Sequence, residues 1–401
     1  MRMRISGEEL GGPDGPTMVR SQTESLDRRA ARFLLRSFPR ILAPTTRFLR
    51  GTLVRSSWPT RVTALLVIVA ATISVRAVAA AELTPMKIGV LRIASQAPFF
   101  MGVEKGYFEE AGIKAELVFF DAAVPATLAI ASRDVDLAVI GFTPAFFNLA
   151  YFGGMVVIAG HSRELPGFPN TGVFASNKAW DEGVRTMADL RGRVIGLTTI
   201  GSTNHYAVAR IGEKYGFDVN ENHLVPAQGL GNLAAMLMGN QVDVASGAGT
   251  AFMGLIVQGK AHVIGWAGDE ISWQSTGLAS HPRVIAEKRA ALQAIVDTYE
   301  RGAAEYSAVL LDKNGDGTYK DPAKAEELLA LISRWTSVPP NAIAQSLAYI
   351  DSRLDVGSIY EMVDWYRNQR MIEKGTDPAK FIDLCFVEGH INVPAAMKRE
   401  C

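Results

Sequence analysis

The stretches VDLAVIGFTPAFF (135–147) and VDVASGAGTAFM (242–253) carry one pattern, and Asp136 and Asp243 stand 107 positions apart. The same offset separates Ile88 in KIGVLRIASQAPFFMGVEKGYF from Ile195 in VIGLTTIGSTNHYAVARIGEKYGF. Both segments read as a buried apolar strand, a polar loop, and a helix closed by Gly near an aromatic residue. A third echo links TGVFAS (171–176) to TGLAS (276–280), with Gly172 and Gly277 spaced 105 apart. A chain repeating at one offset builds the same unit twice. Alternating strands and helices in each unit predict a mainly parallel sheet with helices on both faces. The fold class expected is therefore α/β with two lobes.

The short TG segments are where the chain is expected to cross between lobes, and two crossings side by side make a hinge. The expected division is a leader over 1–81, the first part of lobe 1 over 82–172, lobe 2 over 173–276, and a lobe 1 return with extra helices over 277–401. Helical periodicity marks the last third in AALQAIVDTYERGAAEYSAVLL, PAKAEELLALISRWT and IYEMVDWYRNQRMIEKG, with Pro339 and Pro340 between the last two.

Ligands of open parallel sheets sit at the carboxyl ends of strands, where loops lead into helix starts rich in free N–H groups. Four such loops occur, two per copy. The first offers Ser95 or Gln96 as a helix cap ahead of Pro98, with Phe99 following. The second offers Gly141, Phe142 and Thr143, with Pro144 behind the cap. The third, TTIGSTN, offers Thr199, Gly201, Ser202 and Thr203. The fourth, SGAGT, offers Ser246, Gly247 and Thr250, the last matching Thr143. Gly229 opens a further lobe-two helix. Each loop alone is also an ordinary cap; symmetry is what aims four of them into one cleft. Arg163 is a candidate fork for a carboxylate or sulfonate, or an ion pair with Glu164. His161 and His205 lie near the same loops. Phe99, Phe100, Phe142, Phe146, Tyr151, Trp266 and Trp273 lie near the expected cleft edges, where one or two are candidates to stack on a ligand's apolar part.

The formal net charge of zero hides a split. Residues 1–81 hold 13 Arg, no Lys and 5 acids, about +8, so the rest is about −8. An acidic body argues against a nucleic-acid partner. The basic part ends in Arg55, Arg61, an apolar run from Val62 to Val75, and small residues. That is the layout of a secretory signal peptide cut near Ala79 to Ala81, so the body is expected in the periplasm. Cys385 and Cys401 either pair, tying down the tail, or stay as two thiols.

The segments APFFMGVEKGYFEEAGIKAELV, ASRDVDLAVIG, MADLRGRVIGL followed by GSTNHY, and LMGNQVDVASG resemble the periplasmic solute-binding proteins of ABC importers in the nitrate/sulfonate/taurine group. The resemblance, which extends to thiamine-precursor-like members, runs from about Met86 to about Val309. It implies a type II periplasmic-binding-protein-like fold with two crossovers. It also implies a small anion held between closing lobes, a monomer, and an inner-membrane permease as partner. GAGT stands where many members carry Trp or Asp-Pro, leaving more room.

DKNGDGTYKD (312–321) fits the first half of a calcium loop: Asp312, Asn314 and Asp316 at the first, third and fifth positions, Gly317 at the sixth, and Thr318 giving its carbonyl. The twelfth position is Ala323 rather than Glu, so a plain polar turn is the competing reading. No other cofactor is expected. Two alternatives stand beside a binding protein for import. One is an enzyme like the thiamine-pyrimidine synthase of this superfamily, which has a cysteine cluster that residues 1–384 lack. The other is a sensor domain that reports its ligand without transport.

Overall fold

A computed structural model describes residues 82–398 and Cys401; the leader and its signal-peptide reading lie outside the described residues. The first copy gives β1 (Thr84–Leu91), α1 (Ala97–Glu104), β2 (Ile113–Phe120), α2 (Ala123–Ser132), β3 (Leu137–Gly141), α3 (Pro144–Tyr151) and β4 (Val156–Gly160), then a short β5 (Ser162–Glu164). The second gives β6 (Thr171–Ser176), β7 (Val194–Leu197), α4 (Thr203–Tyr215), β8 (His223–Pro226), α5 (Leu230–Met238), β9 (Val244–Ala248), α6 (Thr250–Val257) and β10 (Ala261–Trp266). After these come β11 (Trp273–Gln274), β12 (Thr276–Ser280), α7 (Pro282–Tyr306), α8 (Pro322–Thr336), β13 (Tyr349–Ile350) and α9 (Val356–Asn368).

Two five-stranded sheets share one topology. Their orders are β2-β1-β3-β12-β4 and β8-β7-β9-β6-β10. In each, three neighbours run parallel and one strand, β12 or β6, runs antiparallel between its neighbours. The TG segments are those antiparallel strands. The chain changes sheet just ahead of them, within 165–170 and 267–275, rather than at them. β5, β11 and β13 form a separate three-stranded antiparallel sheet beside both crossings.

The repeated Val-Asp has a direct physical cause. The Asp136 carboxylate accepts from the Lys87 N–H at 2.8 Å, and the Asp136 N–H donates to the Lys87 carbonyl at 2.9 Å. The second copy repeats both bonds: Val194 N–H to Asp243 at 3.0 Å, and Asp243 N–H to the Val194 carbonyl at 2.9 Å. A carboxylate just ahead of the third strand thus takes up a backbone donor of the first, one residue before the ladder between those two strands begins. In the first copy Lys288 also binds Asp136, at 2.8 Å.

Alternation along each strand sends residues to two cores. Ile88, Val90, Leu137 and Val139 pack under α7 and α8. Ala138 and Ile140 face a second cluster, which continues through Tyr366 of α9 to Tyr206 of α4 and Ile195 of β7. Phe174, Phe252 and Leu233 close the far face of the second sheet, where Ala342 of the short helix Pro340–Ile343 also packs. The C-terminal third therefore touches both lobes. Cys385 and Cys401 form a disulfide, and the tail before it pairs with β4 through Val157 and Asp383. Among the described residues no helix is long and apolar enough to cross a membrane.

Asp243→Ala is expected to lower unfolding stability in urea by about 1.5–3 kcal/mol, the worth of a hydrogen bond to a charged group. Asp136→Ala is expected to cost at least as much, because Lys288 is orphaned too. Equal stability of wild type and both variants would contradict the register role.

Candidate functional site

A cavity lies where the loops of the two sheets meet, with room for the centre of a water-sized sphere to sweep ≈ 90 Å³. That is roughly six times what one water needs, so it suits a small solute. From the first sheet's side come Leu91, Ile93, Ser95, Ala122, Ala123, Val124, Gly141 and Thr143. From the second come Thr198, Thr199, Ser202, Thr203, Asn204, Leu230 and Ala248. Ser162, Asn170, Thr171, Ser275 and Thr276 line it from the hinge. Every one of these side chains is neutral.

Two helix starts face this space. Ser202 caps α4 by accepting from His205 N–H at 3.2 Å, leaving the N–H groups of Thr203 and Asn204 without an intrahelical acceptor. At α2 the cap is Ala122, which has no side-chain bond to offer, so the N–H groups of Ala123 and Val124 are likewise open. Pro125 follows and has no N–H to leave unsatisfied. Thr143 caps α3, accepting from Phe146 N–H at 3.3 Å. Two helix starts meeting in a neutral cavity give it a positive potential without any basic side chain.

The jaws are closed. Ala94 N–H, after β1, donates to Thr250 Oγ1 at 3.2 Å. Leu230 N–H donates to the Asp121 carbonyl at 3.2 Å. Tyr366 Oη lies 3.0 Å and 3.2 Å from the carbonyls of Gly201 and Ser202. Gly201 sits at φ 81°, and a Cβ there would stand 2.9 Å from Pro144 Cγ, so only glycine lets the two lips approach this closely.

Of the residues expected from sequence, Ser95, Gly141, Thr143, Thr199, Ser202 and Thr203 line the cavity. The others are elsewhere. Gln96 holds the cap position of α1 without a side-chain cap bond, and its amide meets His161 Nε2 at 3.1 Å. Phe99 stacks on Tyr299, and Phe142 is wholly buried against Phe146 and Phe147. Gly229 starts α5 beside Asp121. Ser246 is buried in β9, and a Cβ on Gly247 would strike Phe252 at 2.7 Å. Thr250 does not cap as Thr143 does; it is the first residue of its helix and is spent on Ala94. Arg163 is turned away: it pairs with Asp351 at 2.8 Å and lies over Tyr349. None of the seven candidate stacking aromatics lines the cavity; its apolar part is Leu91, Ile93, Val124 and Leu230.

In the candidate calcium loop, Asp312 is paired with Lys320 at 2.7 Å and Asp316 accepts from Thr318 N–H and Oγ1. One carboxylate oxygen each of Asp312 and Asp316 is engaged within the turn, and no residue of the loop lines the cavity. Among the described residues no group of three or more His, Cys, Asp or Glu is placed to hold a metal.

Two lobes of one topology, joined by short crossings over a closed neutral cavity, make this the two-lobed periplasmic-binding-protein fold in its type II form. A family model described as NMT1/THI5 like matches residues 94–308, more than half of the chain, and the chain belongs to that family. Solved structures agree on the fold. The alkanesulfonate-binding protein SsuA from Xanthomonas axonopodis pv. citri, bound to MOPS, superposes with a TM-score of 0.62 at 18% identity, covering 76% of this chain and 99% of its own. The periplasmic nitrate-binding protein NrtA from Synechocystis PCC 6803 gives 0.58 at 13%, covering 74% and 84%. The desulfurization enzyme DSZB gives 0.55 at 13%, covering 76% and 97%. No curated protein matches the chain.

Burial holds the His161 ring's pKa down to about 3 and that of His205 down to about 4. Unfolding exposes rings that take a proton below about pH 6.5, so stability falls as pH drops from about 6.5 towards 4. Near pH 5 these two rings alone add close to two protons to unfolding, a slope of about 2.7 kcal/mol per pH unit. His161→Gln is expected to remove about half of that slope in urea titrations. Thr250→Val strands the Ala94 N–H only when the jaws are shut, weakening the closed form by about 1–3 kcal/mol. Small-angle scattering should then report a larger radius of gyration; an unchanged one would refute the closure role.

Proposed function

We propose that the chain is the solute-capturing component of an ABC importer, exported to the periplasm, where it closes on a small organic anion and hands it to a membrane permease. The observation carrying this reading is the pair of open helix starts, α2 and α4, brought from opposite jaws to one neutral closed cavity. Such a site recognises an acidic group through backbone dipoles, which are complete only when both jaws contribute. A ligand therefore shifts the open–closed population towards closed. Carboxylate, sulfonate and nitrate chemistry all fit N–H donors of this kind. Family membership and the likeness to sulfonate- and nitrate-binding structures support the same reading.

Binding without turnover is the part of this proposal that the lining supports most directly. A catalyst needs a group that moves a proton or an activated nucleophile, and a Ser or Thr hydroxyl is activated by a base beside it. The cavity wall offers hydroxyls, an amide and backbone, with no titratable side chain and no thiol among its residues.

The test is a thermal melt of the chain from Glu82 onward against alkanesulfonates, short carboxylates, nitrate and inorganic phosphate. A true ligand at 100 times its Kd adds about 2.7 kcal/mol, a shift well within reach of a melt. Stabilisation by one acidic class is the expected result. No shift from any acid, with neutral analogues equally inert, would overturn the anion reading.

A further inference from the structure

The lip ahead of α4 is fixed by two side chains that do not themselves line the cavity. His205 Nδ1 accepts from the Gly201 N–H at 3.0 Å. An amide N–H can only donate, so Nδ1 bears the lone pair of this ring and Nε2 the hydrogen. On the other side of the same peptide run, Tyr366 Oη donates to the carbonyls of Gly201 and Ser202. Together they hold Gly201 and Ser202 in place, and with them the N–H groups that α4 offers to the cavity.

His205 belongs to the second lobe, but its cover does not. Its ring meets Trp365 of α9 edge to face, with centroids 5.5 Å apart. The end of α9 is tied to the first lobe: Asn148 of α3 donates to the Met371 carbonyl at 3.1 Å and accepts from the Glu373 N–H at 3.1 Å. Shut jaws therefore bury the ring, and parting them draws α9 away from it. Burial alone holds its pKa down to about 4. The lip, residues 199–202, is neutral, and burial keeps the phenols of Tyr206 and Tyr366 protonated. The charged side chains of the two helices around it are Arg210, Glu213 and Lys214 on α4 and Glu361, Asp364 and Arg367 on α9, and none adds to the effect of burial on the ring. His161 is placed differently. Its side-chain partners, Gln96 and Tyr299, both belong to the first lobe, so it stays covered whether the jaws are open or shut.

We propose that His205 is a positioning residue for the start of α4, one that must be neutral for the jaws to close, so that acid opens the lip and releases the solute. A protonated ring donates from both nitrogens. The Gly201 N–H then loses its acceptor, and a cation stands in the first turn of a helix, where the dipole disfavours it. In the open form the uncovered ring takes a proton below about pH 6.5; in the closed form it does so only near 4. Proton uptake thus draws the population to the open side as pH falls through that window. The proposal rests on the anion-binding reading of the helix starts and adds a condition to it.

The experiment is titration calorimetry on the chain from Glu82 onward with ethanesulfonate, 1-propanesulfonate and nitrate, all of which stay ionised in mild acid. The wild type is expected to bind about tenfold more weakly at about pH 5 than at about pH 7.5. His205→Asn keeps an acceptor oxygen near the place of Nδ1 and cannot titrate. It is expected to match the wild type at about pH 7.5 and to change by about threefold or less on acidification. His205→Leu, with no acceptor, is expected to bind about tenfold more weakly at both pH values, the worth of one buried hydrogen bond. His161→Gln is expected to keep the wild-type profile. A wild-type affinity that holds or rises in acid would overturn the proposal and leave the anion reading standing. So would a His205→Asn chain that keeps the wild-type slope, the mark of a merely structural His205. Binding of none of the acids at any pH would sink the anion reading and the positioning role with it. Should neither His205 variant fold, the wild-type and His161→Gln profiles decide: a slope that vanishes in His161→Gln belongs to His161 and overturns the proposal.

Discussion

A carboxylate that accepts a backbone N–H one strand away sets the frame for everything else in this molecule. Asp136 on Lys87 and Asp243 on Val194 each pin the start of a third strand to the first strand where their ladder begins. The register of a parallel pair has no hairpin to fix it. Pinned where their ladders begin, β1 and β3, like β7 and β9, bring their carboxyl ends level, and the loops that follow open on one side of each sheet. Two sheets built alike present two like sets of loops. The hinge strands then need only turn one set to face the other for α2 and α4 to share a cavity.

Charge is absent from the cavity wall, and that absence gives the closure its meaning. A basic side chain would hold an anion in either open or shut jaws. Helix starts work differently: their partial charges act over a short range and are strongest where water is excluded. The donors of α2 belong to one jaw and those of α4 to the other. The same closure joins Ala94 to Thr250 and Leu230 to Asp121, so the contacts between the jaws and the meeting of the two helix starts are made together. Tyr366 adds weight on the closed side, because its ring joins Phe147 of the first lobe and Tyr206 of the second while its hydroxyl reaches the lip at Gly201.

The repeat made the architecture legible. Offsets of 107 in Asp and in the strand starts reported two copies of one unit, and caps such as Thr143 and Ser202 could be read because capping is local. What failed was whatever depended on partners far along the chain. Thr250 matches Thr143 in sequence, yet its hydroxyl is taken by Ala94, a residue 156 positions away. Phe99, Phe100, Phe142, Phe146 and Trp273 went into cores, since a ring beside a strand end buries more surface inward than into a small cavity, while Tyr151 stays exposed. Arg163 was picked over Glu164 on chemistry alone. A three-residue strand gives too short a pattern to fix which of two neighbours faces in, and Asp351, 188 positions on, decides it.

The inward turn of Glu164 decides what the hinge brings to the cavity. Arg163 is spent on Asp351, so it puts no charge on the wall. Glu164 is buried behind Asn170 and Thr171, whose donors hold its carboxylate. The hinge wall is therefore as neutral as the jaw walls, and the lining's positive potential comes from the starts of α2 and α4. Those starts ride on opposite jaws, so the potential is complete only where the jaws are shut.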